Sequence, residues 1–140
     1  MTFVDTSVVV TASQPSDPNH GACVARLAAV EQRGGSCALH SLSEVFAVLT
    51  RLPLPYGVPP EAALQIVQHT SRRFSVVALT PDEHLAAIER FVGEGLTGAM
   101  VYDALVLACA RKVKASKIYT LDLHHFRRIA PDLASRIHEP

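Results

Sequence analysis

Long apolar runs, a net charge and paired cysteines are all absent from this sequence of 140 residues. No apolar run approaches the roughly 20 residues that a membrane-spanning helix requires, so no membrane span is predicted. The first residues, Met1–Asp5, include an acid and no base, which argues against a secretory signal and predicts a cytoplasmic protein. The cysteines (Cys23, Cys37 and Cys109) lack metal-ligand spacing and stand in apolar stretches, so we expect buried free thiols.

The absence of a net charge excludes a uniformly basic nucleic-acid-binding protein, because 13 lysines and arginines balance 13 aspartates and glutamates. The balance is compatible with a protein that collects acids in one pocket. Four acids placed there would leave nine against 13 bases elsewhere, an excess of +4. Hydrophobic residues make up 49% of the chain, so it can form a core, and its length predicts one domain over residues 1–140.

Short apolar segments alternate with longer segments of helical periodicity along the whole chain. This alternation predicts an α/β fold, with a short, mostly parallel sheet flanked by helices on both faces. The segment Thr80-Pro81-Asp82-Glu83 has the spacing of a capping box and predicts a helix start. The predicted strands are Thr2–Val4, Ser36–His40, Phe74–Leu79 and Lys117–Leu121. Two helices are predicted to begin after Asp5 and after Asp122. The other predicted helices are Asn19–Arg33, Leu42–Leu52, Glu61–Ser71, Thr80 to about Gly93, and Ala99–Val113.

Four acids stand where such a fold places its ligand sites, beyond the carboxyl ends of the parallel strands. Asp5 directly follows the first predicted strand, and Asp122 directly follows the fourth. Glu44 is expected in the first turn of the helix after the second strand, and Asp103 near the start of an otherwise apolar helix. We therefore expect all four carboxylates at one edge of the sheet.

Each of these acids also has a purely structural interpretation. Asp5 and Asp122 are suited to cap the helices that follow them, and Glu44 stands three residues after Ser41, which is capping-box spacing. Asp103 would be favoured by the positive end of its helix. The interpretations are compatible, since a residue at a helix start can both cap the helix and point a carboxylate outward. Independent caps, however, would not predict that all four acids converge.

A cluster of four carboxylates predicts a bound cation, because like charges repel one another or take up protons. A site with oxygen ligands and neither histidine nor cysteine favours Mg²⁺ or Mn²⁺ over Zn²⁺. One or two such ions would support phosphodiester hydrolysis by water. Other motifs give weaker signals: Gly93-x-Gly95-x-x-Gly98 follows a helix instead of a strand, and His124 and His125 share no helical face.

The segments around these acids resemble the motifs of the PIN domain, in that family's order and spacing. They are Phe3-Val4-Asp5-Thr6-Ser7, Leu42-Ser43-Glu44-Val45, Tyr102-Asp103-Ala104-Leu105 and Tyr119-Thr120-Leu121-Asp122, followed by Phe126. Length and layout are most similar to a VapC-type toxin of a bacterial toxin–antitoxin pair. The resemblance implies a Mg²⁺- or Mn²⁺-dependent endoribonuclease that forms a homodimer and is inhibited by a small VapB-type antitoxin. It also implies that the catalytic and metal-binding residues are Asp5, Glu44, Asp103 and Asp122.

The resemblance further implies roles for neighbouring side chains. Thr6, Ser7 and Thr120 match small hydroxyl residues that support the acids or contact phosphate. Many relatives carry a fifth acid directly before the phenylalanine that matches Phe126. This sequence has His125 at that position, which could contact RNA instead.

Contacts to RNA and to an antitoxin are predicted from charge and composition. The proline-rich segment Pro53–Pro60 and the apolar helices beside it are a candidate groove for an amphipathic antitoxin helix. The alternative to a nuclease is a catalytically silent PIN-fold module that binds RNA or a partner protein, and a nuclease acting on DNA also stays open. The candidate RNA contacts are basic: Arg72, Arg73, Arg111, Lys112 and His125.

Overall fold

Short strands and α-helices alternate along the chain in the computed structural model, which describes residues 1–140. The strands are β1 (Thr2–Val4), β2 (Gly35–Ala38), β3 (Ser75–Val77), β4 (Lys117–Tyr119) and β5 (Ile137–His138). The helices are α1 (Thr6–Ala12), α2 (His20–Arg33), α3 (Leu39–Arg51), α4 (Pro60–Arg73), α5 (Pro81–Gly93), α6 (Val101–Lys112) and α7 (Leu123–Ile129). Short 3₁₀ helices, Gly98–Met100 and Pro131–Arg136, precede α6 and β5. None of the helices combines the length and apolar character needed to cross a membrane.

The five strands form one parallel sheet in the order β3-β2-β1-β4-β5. β1 lies at the centre; the chain adds β2 and β3 on one side of it and then β4 and β5 on the other. The direction of strand addition therefore reverses between β1 and β4. The carboxyl ends of these two strands form the switch point at which such sheets bind ligands. The predicted α/β fold with a parallel sheet is confirmed.

Helices cover both faces of the sheet, because successive strand residues point to opposite sides. Phe3 of β1 and Ile118 of β4 belong to a buried apolar cluster that includes residues of α5, α6 and α7. The next residue of each strand, Val4 and Tyr119, belongs to a second cluster that includes residues of α1 and α2. A third cluster around Leu49 joins α1, α3 and α4. The sheet is therefore buried between two helical layers, as its continuously apolar strands predict.

The cysteines are buried free thiols, as predicted. Burial raises the pKa of Cys37 to about 12 and that of Cys109 to about 11. Both thiols therefore remain protonated at neutral pH and are poor nucleophiles. They contribute to the apolar core and not to a reactive site.

The start of α3 differs from the prediction. The helix begins at Leu39, three residues earlier than expected, and β2 is correspondingly short. Glu44 therefore lies in the second turn of α3 and not in the first. Ser41 forms no capping box with it, and its buried hydroxyl has no hydrogen-bond partner. The polar residues in the first turn concealed the helix start, because such residues are more typical of caps than of helix interiors.

Of two other local features, the sequence predicted one, the capping box of α5, and missed the other, strand β5. The capping box at the start of α5 is confirmed, because the Glu83 amide donates to the Thr80 hydroxyl and the Thr80 amide to the Glu83 carboxylate. Strand β5 is absent from the sequence prediction. It has only two residues, Ile137 and His138, which pair with β4. A segment this short has no detectable periodicity, so only its tertiary pairing defines it as a strand.

Gly35 at the start of β2 is a position where an added side chain would meet the core. A Cβ atom there would overlap Val30 Cγ1 and lie 3.2 Å from two atoms of the Phe74 ring. We expect Gly35→Ala to lower the free energy of unfolding by about 1–3 kcal/mol, because the buried, β-branched Val30 has little freedom to move. Urea denaturation measures the change. Gly21→Ala in α2 is the control: nothing lies within 4 Å of its Cβ, so stability should rise by about 0.5–1 kcal/mol or stay constant. Equal stability of the two variants would contradict this packing.

Candidate active site

Asp5 lies at the carboxyl end of the central strand, with only 4% of its surface exposed. It is the N-cap of α1, because its Oδ2 accepts a hydrogen bond from the Ser7 amide at 3.3 Å. The same oxygen accepts hydrogen bonds from Ser7 Oγ at 2.7 Å and from Thr120 Oγ1 at 3.0 Å. Since these three bonds converge on Oδ2, the other oxygen, Oδ1, remains available to a ligand.

The two hydroxyls that hold Asp5 are themselves held by the loop after β4. Ser7 Oγ accepts a hydrogen bond from the Leu121 amide at 3.0 Å. Thr120 Oγ1 accepts one from the Asp122 amide, also at 3.0 Å. Each hydroxyl donates its single hydrogen to Asp5 and accepts from the backbone, so its orientation is determined. The loop that carries Asp122 is thereby tied to the carboxylate of Asp5.

Asp103, in the first turn of α6, is repelled by the other three acids. Burial, followed by repulsion from Asp5, Glu44 and Asp122, raises the pKa of Asp103 from 3.8 to about 7. Burial also raises the pKa of Asp5, although the hydrogen bonds from the two hydroxyls partly offset this effect. Asp103 therefore lies within electrostatic range of the other three carboxylates, in a space at the switch point of the sheet.

This space has the chemistry of a divalent-cation site, although it is not a closed cage. No three acidic, histidine or cysteine side chains lie close enough together to hold one ion at once. Such an open arrangement suits Mg²⁺, which usually binds one or two carboxylates and keeps several of its waters. A cation would also relieve the repulsion that raises the pKa of Asp103. The residues present therefore fit an ion of the Mg²⁺ or Mn²⁺ type, which prefers oxygen ligands.

Glu44 faces the site from α3, and its carboxylate contacts His40 Nε2 one turn earlier in the helix. The contact lacks the geometry of a hydrogen bond, so Glu44 Oε1 and His40 Nε2 are both buried without a hydrogen-bond partner. The His40 ring also stacks on Tyr102, with ring centroids 5.3 Å apart and planes inclined by 9°. Sequence reasoning did not select His40. Its spacing of four residues from Glu44, which puts both on one helical face, is the signal that could have found it.

Asp122 is the most exposed of the four acids, since 60% of its side chain is accessible. It occupies the N-cap position of α7, but its side chain makes no capping hydrogen bond. Its carboxylate Oδ1 lies 4.0 Å from His125 Nδ1. His125 is therefore next to the acidic cluster.

Comparison with known proteins identifies the family of the chain. The family model described as PIN domain matches residues 2–131. The chain belongs to the PIN-domain family. Ribonuclease VapC40 of Mycobacterium tuberculosis is 32% identical over 85% of this chain and 84% of its own length. The crystal structure of VapC20 from the same species, described as a Sarcin-Ricin loop cleaving toxin, is 26% identical with a TM-score of 0.71, over 87% of this chain and 90% of that one. VapBC2 from Rickettsia felis shares the fold at 15% identity, with a TM-score of 0.69 over 99% of this chain and 97% of that one.

Three of the residues selected from the sequence make no side-chain hydrogen bond to the acids in this PIN domain. Thr6 is buried, and its hydroxyl has no hydrogen-bond partner. Arg72 and Arg73 end α4 directly before β3. Because all strands are parallel, these arginines lie at the amino edge of the sheet, opposite the acidic cluster.

Arg111 and Lys112, at the end of α6, are engaged in ion pairs within the domain. Arg111 donates two hydrogen bonds to Asp132, from Nε at 3.2 Å and from Nη2 at 2.8 Å. Lys112 Nζ donates to the Glu83 carboxylate at 2.7 Å. Asp103 lies eight residues earlier in α6, which is about 12 Å along the helix axis from Arg111. The structure therefore separates both bases from the acidic cluster.

Repulsion at Asp103 makes the stability of the metal-free PIN domain depend on pH. A folded-state pKa of about 7, above the ordinary 3.8, means that the folded protein retains a proton there that the unfolded chain loses. The stability contributed by this group is therefore complete below about pH 4 and falls as the pH rises to about 7. We expect Asp103→Asn to raise the free energy of unfolding in EDTA by about 1–2 kcal/mol at pH 8, a value discounted for residual solvent contact. At pH 4 the two proteins should be equally stable.

Urea denaturation of both proteins at the two pH values measures this difference. Mg²⁺ should stabilise the wild-type protein at pH 8 and stabilise Asp103→Asn much less, because a ligand stabilises the state that binds it. If the wild-type protein and the variant are equally stable at both pH values, the other acids do not repel Asp103.

Proposed function

We propose that this PIN domain is a VapC-type endoribonuclease that hydrolyses RNA phosphodiester bonds with one or two Mg²⁺ or Mn²⁺ ions. The observation that carries this proposal is that three further carboxylates lie within electrostatic range of Asp103 at the switch point of the sheet, which together with burial raises the pKa of Asp103. Such repulsion disfavours the free site and favours the site with cations bound. Similarity to VapC40 and VapC20 supports RNA as the substrate and toxicity as the outcome.

The four acids have different proposed roles because their environments differ. Asp5 offers Oδ1 to a cation while Oδ2 is held by the two hydroxyls, so its position is the most rigid. Asp103 would hold the same cation together with Asp5, and Glu44 and Asp122 would complete the site directly or through water. When bound, the cation lowers the pKa of a water and neutralises negative charge on the phosphate. Ser7 and Thr120 orient Asp5, and His125 contacts the RNA near Asp122.

An antitoxin and a second copy of the chain are the proposed protein partners; similarity to VapC20, a toxin, supports the antitoxin. The segment Pro53–Pro60 offers an apolar surface, since Leu54 is 90% exposed and Tyr56 is 53% exposed. The acidic cluster would accept an arginine from a small antitoxin, because guanidinium groups pair strongly with carboxylates. Cellular RNA as substrate makes the cytoplasm the proposed location. Arg72, Arg73, Arg111 and Lys112 remain proposed RNA contacts only for RNA that extends beyond the site.

Cleavage of total cellular RNA by the purified, partner-free protein tests the proposed activity. We expect discrete fragments in Mg²⁺ or Mn²⁺ and none in EDTA, with 5′-phosphate and 3′-hydroxyl ends because water attacks the phosphate and the 3′ oxygen leaves. Asp103→Asn should lower the rate by about 100-fold or more, the usual cost of removing one charged group from a site of this kind. Asp82→Asn, an exposed acid in the first turn of α5, is the matched control and should cut at the wild-type rate.

Several results would contradict this proposal in different ways. Ends carrying a 2′,3′-cyclic phosphate would show that the ribose hydroxyl, and not water, is the nucleophile. Undiminished cleavage by Asp103→Asn would show that the reaction occurs elsewhere or comes from a contaminant. A folded protein that binds RNA but cuts none would favour the catalytically silent module. Cleavage of matched DNA but not of RNA oligomers would favour a DNA nuclease.

A further inference from the structure

An open cleft lies between α3 and the start of α6, beside the acidic cluster. Its volume is about 540 Å³. Glu44 and Asp103 line it together with His40, Arg51 and Tyr102. The proposed chemistry uses the two acids only, so the histidine, the arginine and the tyrosine need a separate explanation.

Besides Ser43, three polar side chains of α3 line this cleft in a row. His40, Glu44 and Arg51 are separated by four and seven residues, which places them on one face of a helix. Arg51 follows Glu44 by about 10 Å along the helix axis. It is exposed and forms no ion pair, so its positive charge is available to a ligand. Ala47 lies between the two on the same face, and its small side chain leaves the cleft open.

Tyr102 presents an aromatic ring to the same cleft. The His40 ring covers one face of it, nearly parallel and 5.3 Å away, yet the residue is 50% exposed. The exposed surface therefore lies on the opposite face and the edge of the ring. An aromatic ring that is supported on one side and open on the other is a surface on which nucleobases stack.

We propose that this cleft binds the nucleotide next to the scissile phosphate, with its base stacked on Tyr102 and a neighbouring phosphate at Arg51. The inference rests on the proposed ribonuclease function, because it assigns substrate-binding residues for that reaction. Single-stranded RNA is the substrate class that fits, since bases in a duplex are stacked on one another and are not free to stack on Tyr102. Stacking tolerates every base but favours the larger rings of purines.

Binding of short RNA oligomers tests the two contacts separately, without requiring cleavage. The probes are fluorescein-labelled hexamers of adenylate and of uridylate and an abasic hexamer with the same backbone, measured by anisotropy with Ca²⁺ in place of Mg²⁺. The wild-type protein should bind the adenylate hexamer most tightly and the abasic hexamer least tightly. Tyr102→Leu should weaken adenylate binding by about tenfold and leave abasic binding unchanged, while Tyr102→Phe should behave as wild type.

Arg51→Gln should have a different signature. It should weaken binding of all three hexamers by the same factor and reduce the slope of log affinity against log salt by about one, as loss of one phosphate contact does. In cleavage assays, Tyr102→Leu and Arg51→Gln should both raise KM more than they lower kcat. The matched controls are Phe46→Leu, a partly exposed aromatic residue on another face of α3, and Arg33→Gln at the exposed end of α2. Both controls should leave RNA binding unchanged.

The outcomes separate this inference from the proposed function. If wild-type protein binds the adenylate and abasic hexamers equally, or if Tyr102→Leu binds adenylate as wild type does, the stacking assignment is wrong even for an active ribonuclease. If Arg51→Gln binds RNA with the same salt dependence as the wild-type protein, Arg51 does not contact a phosphate. If base discrimination and its loss in Tyr102→Leu are observed but no RNA is cut in Mg²⁺ or Mn²⁺, the proposed catalysis fails and the cleft remains an RNA-binding site.

Discussion

The carboxylate of Asp5 is the point at which the central strand, the first helix and the loop after β4 meet. A buried carboxylate is costly unless it is hydrogen-bonded. Here Ser7 and Thr120 satisfy one of its oxygens, and two backbone amides after β4 hold those hydroxyls in turn. The Asp5 amide donates to the Tyr119 carbonyl at 3.0 Å, which continues the ladder between β1 and β4. The geometry of the switch point depends on this network, because it joins the two strands from which Asp5 and Asp122 emerge.

The charges of the domain are arranged in two contrasting ways. Away from the site, two acids are paired with bases: Arg111 lowers the pKa of Asp132, and Lys112 lowers the pKa of Glu83. Within the site, acids face acids, and the pKa of Asp103 rises to about 7. A net charge of zero conceals this separation. No lysine or arginine forms an ion pair with this cluster, so a bound cation would stabilise it and would link the stability of the domain to its proposed chemistry.

Much of the architecture follows from local sequence pattern. Apolar strands between amphipathic helices predicted a parallel sheet, and the Thr80 capping box correctly marked the start of α5. The errors occur where local chemistry is ambiguous. Polar residues in the first turn of α3 concealed its start, so Glu44 was expected one turn too early. Strand β5 is too short to carry a pattern and exists only through its pairing with β4.

The sequence by itself determined which acids follow the strands, and the parallel sheet that it predicts brings Asp5 and Asp122 to one edge. Only the tertiary structure decided that β1 and β4 are neighbours, that the hydroxyls of Ser7 and Thr120 bond to Asp5 while the Thr6 hydroxyl does not, and that His40 stacks on Tyr102. The physical reason is separation along the chain. Thr120 is 115 residues from the carboxylate that it holds, and no periodicity encodes such a contact. Local patterns define the elements, whereas the packing of those elements selects the side chains that meet.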